Sequence, residues 1–276
     1  MLVSVVVPCY NSQHTIKNLV ELTIQEFKKM PEYTYEFVLV NDYSKDQTFL
    51  SIKELAEKYS FVKGINLARN FGQHNALMAA LNYAEGDLIV GMDDDLQTHP
   101  SQMHILLDKI KEGYDLVYGN YAKRKNSFLK NLSSKFNAVT SRILLGRPKE
   151  IVSSNYWVIT RYVRDEVIKY QNFNPYIDAL FYRCTNKIAD VTIEHHKREE
   201  GSSNYTFSKL VKLWLAYWNF SVVPLRISSF LGILFSACGF FGAIATLIRQ
   251  LISPSSQVGW ASIMCALFLF FGFVLL

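Results

Sequence analysis

Along the first 120 residues, short runs rich in Val, Ile and Leu alternate with longer segments whose apolar positions recur every three or four residues. The short runs are Val3–Val7, Glu36–Val40, Val62–Leu67, Leu88–Met92 and Leu116–Tyr118, and they read as strands. Between them, Thr15–Lys29, Gln47–Tyr59, Gln73–Ala84 and Ser101–Lys111 read as amphipathic helices. Such alternation predicts an α/β fold, a mostly parallel sheet with helices on both faces. Open sheets of this kind bind ligands beyond the C-terminal ends of their strands, so the residues after each strand matter first.

After residue 120 the pattern changes. Phe128, Leu132, Phe136, Val139 and Ile143 are spaced as one stripe of a helix over about 127–145. The stripe lies in a basic segment, with eight Lys or Arg and no acidic residue between Asp115 and Glu150. A basic amphipathic helix can lie on a membrane surface or dock as an ordinary surface helix; the pattern leaves both open. Ile188–His196 reads as a further strand. The segment 206–225 mixes Lys209 and Lys212 with Trp214, Tyr217 and Trp218, the composition of an interfacial anchor.

The C-terminal pattern is apolar throughout. No charged residue occurs from Ile227 to Ile248, or from Gln250 to Leu276. Spans of about 227–249 and 258–276 are long enough to cross a bilayer core of about 30 Å, and Ser253-Pro254-Ser255-Ser256 separates them. The expected organisation is a catalytic domain over 1–225 and a transmembrane hairpin over 226–276. Leu2–Val7 is too short for a signal peptide and runs into strand-like sequence, so the first domain is expected on the cytoplasmic side.

Composition adds exclusions. The net charge of +5 comes from the basic segment, and the rest of the chain is net acidic. Anionic lipid headgroups are the partner it suggests, and no nucleic-acid motif accompanies it. Cys9, Cys184, Cys238 and Cys265 form no Cys-x-x-Cys pair, which argues against a zinc site or a disulfide framework. No Gly-x-Gly occurs, so the dinucleotide fingerprint and the Walker loop are both absent.

The chemistry concentrates after the strands. Asp93-Asp94-Asp95-Leu96-Gln97 follows the fourth strand, and in extended backbone Asp93 and Asp95 share a face while Asp94 points away. Two convergent carboxylates can hold a hard divalent cation against a diphosphate, although a short Asp run can also be a solvated turn. Three further motifs follow the other strands: Pro8-Cys9-Tyr10-Asn11, Asn41-Asp42-Tyr43-Ser44-Lys45-Asp46-Gln47-Thr48 and Asn70-Phe71-Gly72-Gln73. The fifth is Arg198-x-x-Gly201-x-Ser203-x-Tyr205. Asp42 taken alone also suits a turn-stabilising role.

Together and in this order, the five motifs resemble the family 2 glycosyltransferases of GT-A fold, and among them the polyprenyl-phosphate glycosyltransferases. The resemblance implies transfer of a sugar from a nucleoside diphosphate sugar, UDP-linked by analogy, to a polyprenyl (undecaprenyl) phosphate, with inversion. It implies Mg²⁺ or Mn²⁺ as cofactor, a homotetramer, and a multi-pass protein of the inner (plasma) membrane with its catalytic domain in the cytoplasm. By resemblance, Pro8, Tyr10, Asn11 and Asp42 line the nucleotide, Asp93 serves ribose and metal, and Asp95 is the metal ligand. Asp94, beside them on the nucleotide side, stands where relatives commonly have Ala and is read as tolerated. Asp95, Gln97 and Arg198 form the catalytic set, while Arg198, Ser203, Tyr205 and Arg124 would grip phosphate. His195 matches a family histidine that positions or supports the site.

Three departures stand out. Ser12 replaces a Glu, Asn155 stands at an acidic position in Ser154-Asn155-Tyr156-Trp157-Val158, and Tyr121 replaces an Arg. An amide at 155 cannot act as a general base. An acceptor phosphate monoester already carries about −1.5 to −2 charge near neutral pH and needs no base. The alternatives are a transferase that extends a lipid-linked glycan at a hydroxyl, and an inactive sugar-nucleotide-binding membrane scaffold. The apolar run is still open at Leu276, where such relatives continue with a polar tail.

Overall fold

The computed structural model describes residues 1–121, 139–194, 221–253 and 259–276. Its contacts divide the chain into two units, Met1–Ala216 and Tyr217–Leu276.

The first unit is built on a seven-stranded sheet. The strands are β1 (Leu2–Cys9), β2 (Thr34–Asn41), β3 (Val62–Asn66), β4 (Leu88–Gly91), β5 (Leu116–Tyr121), β6 (Trp157–Thr160) and β7 (Ile188–Ile193), in spatial order β3-β2-β1-β4-β6-β5-β7. β1 lies between β2 and β4, parallel to both, and is buried from Val3 to Cys9. Burial on both faces explains a run that is apolar but for the buried Ser4, which a half-exposed strand would not show.

The expected parallel order stops at β4. β6 lies between β4 and β5 and is antiparallel to both, while β7 extends the sheet parallel to β5. The sheet is therefore mostly parallel, as expected, with β6 as its one antiparallel strand among the described residues. The physical reason is connectivity. A strand that returns after the long 122–156 connection can pair in either sense, whereas the short βα units before it impose parallel pairing.

Among the described residues the sheet is covered by α1 (Ile16–Phe27), α2 (Thr48–Lys58), α3 (Gln73–Tyr83), α4 (Met103–Ile110), α5 (Arg161–Val167) and α6 (Ile177–Cys184). Ile16, Leu19, Val20 and Phe27 of α1 bury one stripe, as the periodicity predicts. Together with Ile52, Leu55, Leu106 and Ile110 they pack on Val5, Val7, Phe37 and Val90, one face of the sheet. Alternate strand residues such as Val6 and Val38 point to the other face, where α3 lies against β1 and β2. At Gly91 a Cβ would fall 2.2 Å from the Trp157 ring, so β4 and β6 can pair closely only with glycine there. Of the basic amphipathic segment, residues 139–145 are described and helical, with Val139 and Ile143 of the apolar stripe 50% and 60% exposed.

The second unit contains α7 (Val223–Ile252) and α8 (Trp260–Leu275). They pack antiparallel along small residues. The Ser228 hydroxyl donates to the Leu275 carbonyl, Gly232 abuts Gly272, and Gly239 abuts Leu269. At 30 residues α7 spans about 45 Å and is long and apolar enough to cross a membrane. Its apolar side chains face outward, among them Phe241, Leu247, Leu251 and Ile252. Helix α8 has 16 residues, fewer than the roughly 20 that a span needs. The two spans expected at 227–249 and 258–276 thus become one helix of full length and one shorter apolar partner.

Candidate active site

The order β3-β2-β1-β4 reverses direction between β1 and β4. That crevice is where doubly wound sheets receive ligands. The carboxylate triplet and the Tyr10–Asn11 turn lie on its two sides.

The β1 and β2 turns are stitched together. Asn11 is held in the left-handed region (φ 55°), and its N–H donates to the Ser44 hydroxyl while its Oδ1 accepts from Lys45 N–H. Ser44 in turn donates to Asn41 Oδ1, and Asn41 Nδ2 donates to Asn66 at the end of β3. Ser12 N–H donates to the Thr48 hydroxyl. Asp46 accepts from Thr48 N–H and hydroxyl and from Gln13 N–H. Burial opposes its ionisation, but these hydrogen bonds outweigh it and hold the carboxyl below its ordinary range. Pro8 lies within buried β1 beside Val40, whereas Tyr10 and Tyr43 stand out into solvent, 47% and 55% exposed.

Asp42 is buried at the end of β2. Its Oδ1 accepts from Phe71 N–H at 2.7 Å and its Oδ2 from Gly72 N–H at 2.9 Å. The carboxylate therefore clamps the loop that opens α3, with Gly72 at φ 90° supplying the turn. This is the turn-stabilising use of the residue. Asn75 Nδ2 closes the loop on the Phe71 carbonyl, and the Arg69 guanidinium covers the Phe71 ring at 4.6 Å.

The triplet leaves β4 after Gly91, one residue earlier than predicted, and its three carboxylates diverge. Asp93 Oδ1 accepts from Gln73 Nε2 at 2.7 Å and its Oδ2 from Asn155 Nδ2 at 2.8 Å. Asp94 Oδ2 accepts from Tyr10 N–H at 3.0 Å, across the crevice. Asp95 Oδ1 accepts from Gln97 N–H at 3.1 Å, closing a turn around Leu96, whose φ is 58°. Asp93 and Asp94 take partners on different sides, but the shared face expected of Asp93 and Asp95 assumed extended backbone, which ends at Gly91. Asp94 is not incidental, however, since it fixes the backbone of the Tyr10 turn.

Burial pushes the Asp93 carboxyl up to about 7, the nearby Asp95 and Asp94 charges add to it, and the two amide donors pull it back. Burial also raises Asp94. Among the described residues no three His, Cys, Asp or Glu side chains gather as a complete metal cage. Two carboxylates beside an open crevice suit a hard cation that takes its remaining ligands from substrate phosphates and water.

Three residues acquire roles that the motifs did not disclose. Gln73 and Asn155 bind Asp93, and Ser154 pins its segment by approaching the Gly119 carbonyl at 2.7 Å. Strand register brings Asn155 to Asp93, and the loop that opens α3 brings Gln73. Tyr121 ends β5 opposite Ile193. Arg198, Ser203, Tyr205, Arg124 and His195 lie outside the described residues.

The family model of glycosyl transferase family 2 matches residues 4–171, the part that carries this crevice. The chain is a family 2 glycosyltransferase. It is 31% identical to an undecaprenyl-phosphate 4-deoxy-4-formamido-L-arabinose transferase of Proteus mirabilis, over 98% of this chain and 84% of the relative. It is 34% identical to an uncharacterised glycosyltransferase of Bacillus subtilis, over 99% and 85%. Its fold is also that of mannosyl-3-phosphoglycerate synthase from Rubrobacter xylanophilus, with TM-score 0.58 and 16% identity over 82% of this chain and 74% of that one. The Mycobacterium tuberculosis glucosyl-3-phosphoglycerate synthase, solved with Mn²⁺ and UDP-glucose, superposes with TM-score 0.55 and 18% identity over 77% and 75%. The glycosyltransferase thus carries its family's sheet together with an apolar helical tail.

Proposed function

We propose that this glycosyltransferase moves a sugar from a UDP-linked donor to undecaprenyl phosphate, with inversion, at the cytoplasmic face of the membrane. The observation that carries the reading is the hydrogen bond from Tyr10 N–H to Asp94, which holds the nucleotide-side turn of β1 against the carboxylate turn of β4. A diphosphate seated between them would have its base beside Tyr10, Asn11 and Tyr43 and its charge beside Asp93 and Asp95. The donor set fits Mg²⁺ or Mn²⁺, which would neutralise charge building on the departing diphosphate. The Mn²⁺ and UDP-glucose of the mycobacterial neighbour and the lipid carrier named for the Proteus relative support the same reading.

The chain's own residues orient rather than deprotonate. Asp42 and Asp46 are committed to backbone and hydroxyl donors, Asp94 to Tyr10 N–H, and Asn155 is an amide. A hydroxyl acceptor would need a base among them. A phosphate monoester needs only aim and desolvation. Arg198, Ser203, Tyr205 and Arg124 are proposed to hold that phosphate, Arg198 by a forked pair of donors, with Gln97 completing the catalytic turn. Helix α7 is proposed to cross the bilayer with α8 packed along it, and the basic segment to adhere to the surface. A homotetramer is proposed from the resemblance alone.

The test supplies purified protein in detergent with labelled nucleotide sugars, Mg²⁺ or Mn²⁺, and undecaprenyl phosphate, with glycosylated lipid carriers in parallel. A phosphate monoglycoside that EDTA abolishes and Asp95→Asn fails to make is the expected product. Transfer only to the prebuilt glycan lipid, or binding without turnover, would overturn the reading.

A further inference from the structure

Asp93 is gripped from two sides by residues that the sequence places far away. Gln73 is the first residue of α3, and its position follows from the loop that Asp42 clamps through Phe71 and Gly72 N–H. Asn155 arrives from the opposite direction. The antiparallel β4–β6 register pairs Leu88 with Thr160 and Gly91 with Trp157. Continued by two residues, that register sets residue 155 directly across from Asp93. Facing residues on neighbouring strands have Cβ atoms about 5 Å apart, within reach of one amide–carboxylate bond. The 2.8 Å bond between Asn155 Nδ2 and Asp93 Oδ2 is that contact. Like charges directly opposite one another destabilise a sheet, so a carboxylate at 155 would oppose the ionisation of Asp93.

We propose that Gln73 and Asn155 are positioning residues for the Asp93 carboxylate: each amide occupies one lone pair of one oxygen and leaves the other for a divalent cation on the donor diphosphate. The inference rests on the reading of Asp93 and Asp95 as cation ligands. It gives the amide at 155 a purpose, for the position lends the site a neutral donor rather than a base. Outer partners of this kind set the angle of a ligand, and their loss typically lowers metal affinity or activity about 10–100-fold.

The experiment measures Mn²⁺ binding in the presence of UDP by electron paramagnetic resonance on the full chain in detergent, with UDP binding in EDTA measured alongside. Gln73→Leu and Asn155→Ala, on separate elements, are each expected to weaken Mn²⁺ about 10–100-fold and leave UDP binding in EDTA unchanged. Amide-retaining Asn155→Gln is expected to stay within about threefold of wild type. Saturating Mn²⁺ should recover most of kcat in the two weakened variants. Wild-type Mn²⁺ affinity in Gln73→Leu and Asn155→Ala, with Asp95→Asn losing it, would overturn the positioning role alone. Equal loss of UDP binding in EDTA would also overturn it, since that marks general collapse of the site. Wild-type Mn²⁺ affinity in both Asp93→Asn and Asp95→Asn would remove the cation reading beneath it.

Discussion

Asp42→Asn separates two uses of the residue that opens the nucleotide side of the site. Its oxygens accept Phe71 and Gly72 N–H at 2.7 and 2.9 Å in a buried setting. Hydrogen bonds to charged groups contribute about 1.5–3 kcal/mol each. Asparagine keeps one acceptor, now neutral, and turns an NH₂ group toward the other N–H. The expected loss is about 2–4 kcal/mol, one charged bond plus an unsatisfied donor. For a unit of this size that lowers the Tm by about 5–12 °C. The same change frees the 70–72 loop and with it Gln73, so the KM for the donor should rise as well. Thermal unfolding followed by circular dichroism, with donor titrations at saturating lipid phosphate, reads both effects. A variant with unchanged Tm that had lost only its preference among UDP, CDP and GDP would refute the loop-clamp argument and assign Asp42 to the base.

Three further outcomes follow from single contacts. Asp178 is buried against the Tyr118 hydroxyl, and burial raises its carboxyl from 3.8 to about 6, against the pull of that hydroxyl and Arg147. The folded state therefore binds this proton more tightly than the unfolded one. Stability from this group, about 3 kcal/mol, is present below pH 4 and lost as the pH rises to about 6. Asp178→Asn should unfold at higher urea than wild type at pH 8 and match it near pH 4, and equal midpoints at pH 8 would refute the assignment. Gly91→Ala drives a Cβ into the Trp157 ring and should cost about 1–3 kcal/mol or more in urea unfolding monitored by tryptophan fluorescence; an unchanged midpoint would show that β6 yields. Mn²⁺ with UDP at about 100 times its Kd should stabilise wild type by about 2.7 kcal/mol, with EDTA reversing the shift and Asp95→Asn not showing it; equal shifts would refute the ligand assignment.

The first four βα units were legible because β1, β2 and β4 are apolar runs buried along most of their length and each helix buries one stripe, while β3 is a short edge strand with Val62 buried. Period and composition state that directly, and boundaries moved by only a residue or two, as where β4 ends at Gly91. β6 was not legible. Trp157–Thr160 is four residues long, without alternation, and becomes a strand only because β4 and β5 present edges on either side. The helices α5 and α6 are seven and eight residues long, too short for a firm periodic signal. In the site, motif order placed Asp42, Asp93 and Asp95 at strand ends. The partner of Asp93 at position 155 is 62 residues away and emerges only through strand register.

The electrostatics explain why neutral partners surround the triplet. Some carboxylates elsewhere in the first unit meet cations, as Glu36 meets Lys63 at 2.9 Å and Asp87 meets Arg161 at 3.0 Å. At the crevice, Gln73, Asn155 and Tyr10 N–H aim Asp93 and Asp94 without cancelling their charge. Burial then raises both carboxyls above their ordinary value, a cost that a resident Lys or Arg would have removed. A resident cation would also have occupied the lone pairs that a metal needs. Amides fix direction and leave the charge for a ligand to balance, which suits the metal-bound diphosphate proposed to enter and leave the site at every turnover. On the proposed reading the same economy of charge fits the amide at 155, since an acceptor that arrives as a dianion would ask the protein for positive potential rather than for another carboxylate.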